Sequence, residues 1–335
     1  MGIAPARDVA RCSFQSIPLY SRSPKSMKKI VLCIVGPTGS GKTALALLLA
    51  KSLGGEIISA DSRQVYKHLD IGTAKPTKAQ RREVKHYFID ELEPDEIFNA
   101  GDFGRKGREM IDDIFQRRSV PIVVGGSGLY IQSLIDGFFQ GPSADNEVRH
   151  RLYERLHAEG VEVLLSELRK IDPASAARML PSNTRRIVRA LEVYELTGVP
   201  LSELQKEKIQ IHFTPLMIGL QWDRRVLYGR INRRVDVMLE DGLLNEVRKL
   251  TELGYSEETN SLQTVGYQEA LSHLRGEISY DTMVELIKRN TRRFAKRQLT
   301  WFRREKRIRW FSIDDEQDFP SIAVKIVNMY RLPST

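Results

Sequence analysis

Short apolar runs alternate with amphipathic stretches through the first half of the chain. Residues 30–35 form an unbroken, β-branched-rich run of the kind buried on both faces of a parallel sheet, and residues 44–51 are strong helix formers. Further short strands are predicted at 56–60, 86–90, 120–124 and 216–220, with an amphipathic helix over 103–117. From Gly141 the pattern changes: residues 145–205 keep a helical period and many charges, with Pro173, Pro181 and Pro200 marking breaks between helices. This predicts an α/β core in two parts, 27–144 and 206–335, interrupted by a helical insertion domain at 145–205. Residues 1–26 are rich in Ser, Pro and Arg with Asp8 as their one acid, a composition shared by transit peptides and disordered tails. They are read as a dispensable disordered extension, with folding beginning at Met27.

The alternation gains chemical meaning at Gly36-Pro37-Thr38-Gly39-Ser40-Gly41-Lys42-Thr43, which has the P-loop spacing G-x-x-x-x-G-K-[ST]. Its strand–loop–helix setting puts backbone N–H groups and the positive end of a helix at a bound phosphate. The fold expected is therefore a P-loop NTPase-like parallel sheet flanked by helices. Asp61 follows the second strand, at the sheet end that faces the ligand crevice, one strand from the P-loop. It is placed there either as the acid that takes an acceptor's proton, or as a helix cap or partner of magnesium. The strand at 120–124 ends in Gly125-Gly126-Ser127-Gly128 where hydrolysing NTPases carry a magnesium-binding acid, which argues against NTP hydrolysis and for a small group or backbone approaching the ligand.

Charge adds a partner. The net charge is +9, and residues 288–309 carry eleven Lys or Arg against Glu305 alone, interleaved with Phe294, Trp301 and Phe302. Ile287, Thr291, Phe294, Gln298 and Trp301 recur near helical spacing, so the aromatics are expected in the core and the basic flank on a polyanion, with a merely solvated helix as the alternative. Arg230 and Arg234 stand one helical turn apart and could meet one anion. The two cysteines fit neither a disulfide framework nor a zinc site, and no apolar run reaches the ~20 residues of a spanning helix. A monomer is expected, because no apolar heptad appears.

Several stretches together resemble one family: GPTGSGKT, ISADSRQVY with DIGTAKP, VPIVVGGSGLY, RALEVYELTG, RINRRVDVMLEDGLLNEV and QTVGYQEA. They are similar to the tRNA dimethylallyltransferases, also called the IPP transferase family, from about Met27 to the C-terminal region. The resemblance implies transfer of a dimethylallyl group from dimethylallyl diphosphate to N6 of adenosine 37 beside the tRNA anticodon, with release of diphosphate. It implies that residues 38–43 cradle the diphosphate, Lys42 neutralising charge and Thr43 helping to place Mg2+. Asp61 matches the general base and Arg234 the arginine on the diphosphate. Contacts to the tRNA anticodon stem-loop are implied for Asp61, Ser62, Arg63 and Gln64, for Arg185, Arg186, Ile187, Val188 and Arg189, and for Gln263, Thr264, Val265, Gly266, Tyr267 and Gln268. Ser127 matches a small hydroxyl residue near the active-site channel, and Arg149 a further tRNA position. The extension has no counterpart in typical bacterial members and no Cys/His zinc finger follows; the resemblance implies a bacterial cytoplasmic enzyme. Rival readings are a small-molecule or nucleotide kinase, a prenyltransferase acting on free adenine nucleotides, against which the basic C-terminal helix and the helical insertion count, and a non-catalytic RNA-binding P-loop protein. The joint presence of Lys42, Thr43, Asp61 and Arg234 counts against the last.

Overall fold

The structure, a computed structural model, describes residues 29–137, 145–206 and 209–332; the expected N-terminal extension and most of the first hinge of the insertion lie outside the described residues. Strand β1 (Ile30–Val35) leads into helix α1 (Lys42–Leu53), and β2 (Gly55–Ser59) follows after Gly54, whose left-handed conformation ends α1. Helix α2 (Lys78–Glu83), β3 (His86–Tyr87), α3 (Ala100–Gln116), β4 (Val120–Gly125) and α4 (Gly128–Ile135) complete the first part of the core. Five helices come next: α5 (Asn146–Glu159), α6 (Val161–Ile171), α7 (Pro173–Ala176), α8 (Thr184–Thr197) and α9 (Leu201–Leu204). The chain then returns to the sheet through β5 (Thr214–Trp222), α10 (Arg224–Glu240), α11 (Leu243–Glu252), α12 (Tyr267–Leu274), α13 (Tyr280–Phe302), β6 (Arg309–Ile313) and α14 (Phe319–Arg331).

The six strands form one sheet in the order β3-β2-β4-β1-β5-β6, and every pairing is parallel. Strand β1 lies inside it, between β4 and β5, which is why residues 31–35 are all fully buried. Successive side chains of a strand point to opposite faces. Val31, Cys33 and Val35 accordingly enter one apolar layer, with α3, α4 and α10–α13, while Leu32 and Ile34 enter the other, with α1 and α14. Both faces are thus covered, as a parallel sheet requires, and the loop after β1 is carried by a buried interior strand.

Four expectations need correction. The strand predicted at 86–90 stops at Tyr87, because Phe88 and Asp90 adopt positive φ (60° and 57°). Phe88 turns into an aromatic cluster with Phe98 and Phe103, and Asp90 is held by Lys75 and Arg81. The basic stretch at 288–309 is not one helix: α13 ends at Phe302 and Arg309 opens the edge strand β6. Phe294 and Trp301 are exposed, at 39% and 36%, while Phe302 takes the core position. The chain closes on a helix, α14, whose apolar side packs against α1 and Gly41.

Helices α5–α9 enclose an apolar cluster of their own, built on Leu152, Leu164, Leu168, Ile187 and Leu191. Within it Glu192 is fully buried and accepts from Arg149 Nη2 (3.0 Å), Arg189 Nη1 (2.9 Å) and the Asp145 amide (3.0 Å). A buried carboxylate stripped of its cations is costly. Replacing both Arg149 and Arg189 by Met should therefore destabilise this unit by about 3–5 kcal/mol, whereas Glu192→Gln, which strands no buried charge, should cost less. Denaturant unfolding followed by circular dichroism reads the difference; equal losses would show that the pairing contributes nothing.

Candidate active site

Between β1 and α1 the chain makes the P-loop turn with Gly39 and Gly41 at φ 78° and 84°, a left-handed conformation that favours glycine. A Cβ on Gly41 would also lie 2.2 Å from the Phe319 ring. Three of the loop's carbonyls are engaged by side-chain donors. Pro37 O accepts from Ser40 Oγ (2.8 Å) and Lys42 Nζ (2.7 Å), Gly39 O from Arg230 Nε (3.0 Å), and Ser40 O from Trp222 Nε1 (3.0 Å). In a trans peptide the N–H points opposite to the C=O, so fixing the Ser40 carbonyl leaves the Gly41 amide facing away from Trp222, while the Ser40 amide makes a long bond to Pro37 O (3.4 Å). Arg230 stacks on the Trp222 ring at 4.2 Å and pairs with Glu316. It therefore serves the loop's carbonyl side instead of joining Arg234 on an anion.

The loop forms one wall of a cleft of about 1210 Å³. Thr38, Gly39, Gly41, Lys42 and Thr43 line it; Gly36, Pro37 and the fully buried Ser40 do not, the Ser40 hydroxyl being spent on Pro37. Asp61 and Arg234 line the same cleft. Burial, and then the neighbouring Arg234 charge, push Lys42 down to about 7 against the opposing pull of Asp61. Burial likewise lowers Arg234, again opposed by Asp61. Two cations and one carboxylate thus share a poorly hydrated space whose charge is balanced only when an anion enters.

Of the roles weighed for Asp61, the structure shows a cap, made on a turn. Its Oδ1 accepts from the amides of Arg63 (2.9 Å) and, more weakly, Gln64 (3.4 Å), capping the turn after β2. Among the described residues no hydrogen-bond donor engages Oδ2. The turn is itself held from three sides. Ser127 Oγ accepts from the Ser62 amide (3.1 Å), the Arg63 guanidinium donates to Asn260 O (2.8 Å), and the Gln64 amide group lies between Ser59 Oγ and the carbonyls of Thr73 and Ala74. The glycines after β4 serve this packing: a Cβ on Gly125 would sit 2.0 Å from Ala60 O, and one on Gly126 2.2 Å from Gln298 Nε2. Both glycines also line the cleft, so neighbouring protein groups already leave no room for a side chain there.

The remaining sequence candidates divide. Gln263, Thr264, Val265, Gly266 and Gln268 line the cleft, while Tyr267 is fully buried and donates to Glu246 Oε1 (2.6 Å). Glu246 also accepts from the amides of Asp70, Ile71 and Gly72, fastening the loop of residues 70–72 to this segment. Arg185 and Arg186 are exposed on α8, away from the cleft lining; Ile187 and Val188 are buried in the α5–α9 cluster, and Arg149 and Arg189 are drawn onto Glu192. Sequence reasoning missed Arg233, Phe294, Arg297 and Gln298 as cleft residues. The available signal was Gln298, a polar residue inside an otherwise apolar helical stripe.

No group of three or more His, Cys, Asp or Glu side chains suited to a metal occurs among the described residues. The donors in the cleft are the Thr43 hydroxyl and the open Asp61 oxygen, a sparse set that fits magnesium, which keeps its waters and takes most remaining ligands from a substrate's phosphates. No helix among the described residues is long and apolar enough to cross a membrane.

The family model for IPP transferase matches residues 64–305 of the chain. The chain is 46% identical over 306 residues to the tRNA dimethylallyltransferase of Pelotomaculum thermopropionicum, covering 91% of this chain and 97% of that relative. Among solved structures it is similar to a full-length tRNA isopentenylpyrophosphate transferase from Bacillus halodurans, at 42% identity and a TM-score of 0.66, covering 90% of this chain and 96% of the other. A eukaryotic dimethylallyltransferase acting on tRNA superposes with a TM-score of 0.77 at 29% identity, covering 91% of this chain and 80% of that one. The chain belongs to the IPP transferase family.

Proposed function

We propose that the protein transfers a dimethylallyl group from dimethylallyl diphosphate to N6 of adenosine 37, next to the tRNA anticodon, giving N6-(dimethylallyl)adenosine and diphosphate. The observation that carries the site assignment is the open Oδ2 of Asp61 in the same cleft as Lys42, Arg234 and the P-loop. The adenine amine is a weak nucleophile because its lone pair is delocalised into the ring. As the N6–C1 bond forms and the C1–O bond to diphosphate breaks, Asp61 accepts the N6 proton, a role that commonly contributes about 10²–10⁴-fold. Lys42, Arg234, the Thr43 hydroxyl and the loop amides meet the charge that grows on the departing diphosphate. The Thr43 hydroxyl would hold magnesium, which when bound would supply further neutralisation of that charge. The cleft walls keep water from the allylic carbon.

The acceptor lies in an RNA loop, where a base can be splayed out and its edges read. The exposed basic face of α13, with Arg289, Arg293, Lys296 and Arg297, together with Arg185 and Arg186 of α8, suits the phosphates on either side of it. The 145–205 unit, which carries Arg185 and Arg186, would meet the anticodon stem. Incubation with labelled dimethylallyl diphosphate, magnesium and unmodified tRNA, followed by nucleoside analysis, tests the activity; splitting of ATP without transfer to RNA would overturn it.

Asp61→Ala should lower single-turnover transfer by about 10²–10⁴-fold while tRNA affinity stays unchanged; lost binding with normal turnover removes Asp61 as the base. Arg234→Gln should raise KM for dimethylallyl diphosphate by about tenfold or more, the scale of one charge-assisted hydrogen bond, and unchanged kinetics reject its role. Lys42 carries a pH signature. Its pKa of about 7 lies below the ordinary 10.5, so in the free enzyme it loses its charge as pH rises through neutrality. Diphosphate restores that charge, so binding near pH 8 should take up close to one proton more in the wild type than in Lys42→Arg. Calorimetry in buffers of different ionisation enthalpy reads this uptake, and equal values in the two proteins would exclude it.

A further inference from the structure

The side-chain amide of Gln298 hydrogen-bonds both the phosphate loop and the tip of β4. Gln298 is 7% exposed in the middle of α13. Its Oε1 accepts from the Thr38 amide at 2.8 Å, and its Nε2 donates to Gly126 O at 3.0 Å. Gly126 has no space for a Cβ because Nε2 would lie 2.2 Å from it. From Gly126 the connection runs on without a gap: the adjacent Ser127 holds the Ser62 amide through Oγ, and the Ser62 turn is the one capped by Asp61 Oδ1. The α13 residues flanking Gln298, Phe294 and Arg297, line the cleft themselves.

Building on the proposed transfer reaction, we infer that Gln298 is a positioning residue: its amide sets the separation between the diphosphate cradle and the Asp61 carboxylate. The geometry calls for a donor and an acceptor on the two ends of one planar, uncharged group. Glutamate lacks the donor, asparagine is a methylene too short to span both partners, and methionine fills the volume while satisfying neither. One bond at each end fixes the orientation of the amide, although Gln298 lines the cleft itself. The Thr38 amide is likewise committed to Gln298. The phosphate-facing amides are therefore those further along the loop, and their placement depends on where Gln298 holds its first turn.

The consequence is a split between chemistry and RNA binding. Reacting atoms misplaced by about 1 Å lose on the order of 10²-fold in rate. Gln298→Met in the full chain should accordingly reduce single-turnover transfer by about that factor and weaken binding of inorganic diphosphate, while tRNA affinity by gel shift stays within about twofold of wild type. Gly126→Ala, which displaces the same amide from the opposite side without touching α13, should reproduce the pattern. It also keeps the inference open to test if the methionine variant fails to fold, as judged by thermal melting. Wild-type transfer rates and diphosphate affinity in a folded variant, or a loss of tRNA affinity as large as the loss of rate, would overturn the positioning role. A wild-type protein that binds no diphosphate would instead defeat the proposed function, so the two failures are distinguishable.

Discussion

A backbone loop can wrap an anion only when its carbonyls, which repel that anion, are held elsewhere. Here three loop carbonyls have dedicated donors: the Lys42 ammonium and Ser40 hydroxyl on Pro37, the Arg230 guanidinium on Gly39, and the Trp222 indole on Ser40. The donors come from the loop itself, from the end of β5 and from the first half of α10. Their own positions are fixed in turn by the stacking of Arg230 on Trp222 and its pairing with Glu316. Much of the rest of the structure can be derived from this requirement. The parallel sheet buries β1 so that the loop starts from a fixed point, and β5 must lie beside β1 to deliver Trp222.

Electrostatics follows from the same arrangement. With its carbonyls tied back, the loop presents amides, a helix N-terminus and Lys42 to a cleft that Arg234 also enters. Burial, and then the Arg234 charge, lower the Lys42 pKa, so an anion entering the cleft favours its charged form. Asp61 relieves it only in part, because one of its oxygens is spent on the turn after β2. The carboxylate is thereby oriented by its own backbone, with its other oxygen left for a ligand.

Features encoded by contiguous residues were legible in the sequence. The P-loop, the apolar strands, the arginine-bearing α10 and the family motifs are each local patterns, and each occurs where expected. What was not legible depends on distant partners. Strand β6 is a short edge strand beginning with an exposed arginine, so it lacks the apolar run that marks its neighbours. Positive φ at Phe88 and Asp90 cuts β3 short because Lys75, Arg81 and the Phe98–Phe103 cluster claim those side chains. Ile187 and Val188 fell within a stretch assigned to RNA contact, yet a helix shows only one side outward, and theirs is the inner one. Gln298 was visible as an oddity in an apolar stripe, but its partners Thr38 and Gly126 lie 260 and 172 residues away.

That separation bears on how the protein comes off the ribosome. Strand β1 has β5 as a neighbour, and between them the chain threads the whole α5–α9 unit. The apolar cluster of that unit is drawn from its own helices, so it can condense during synthesis by local contacts. The phosphate loop, though first in the chain, must wait for Trp222, Arg230 and finally Gln298 before its conformation is secured. A nascent chain halted anywhere before α13 would therefore carry the complete glycine motif and yet lack a settled grip on phosphate.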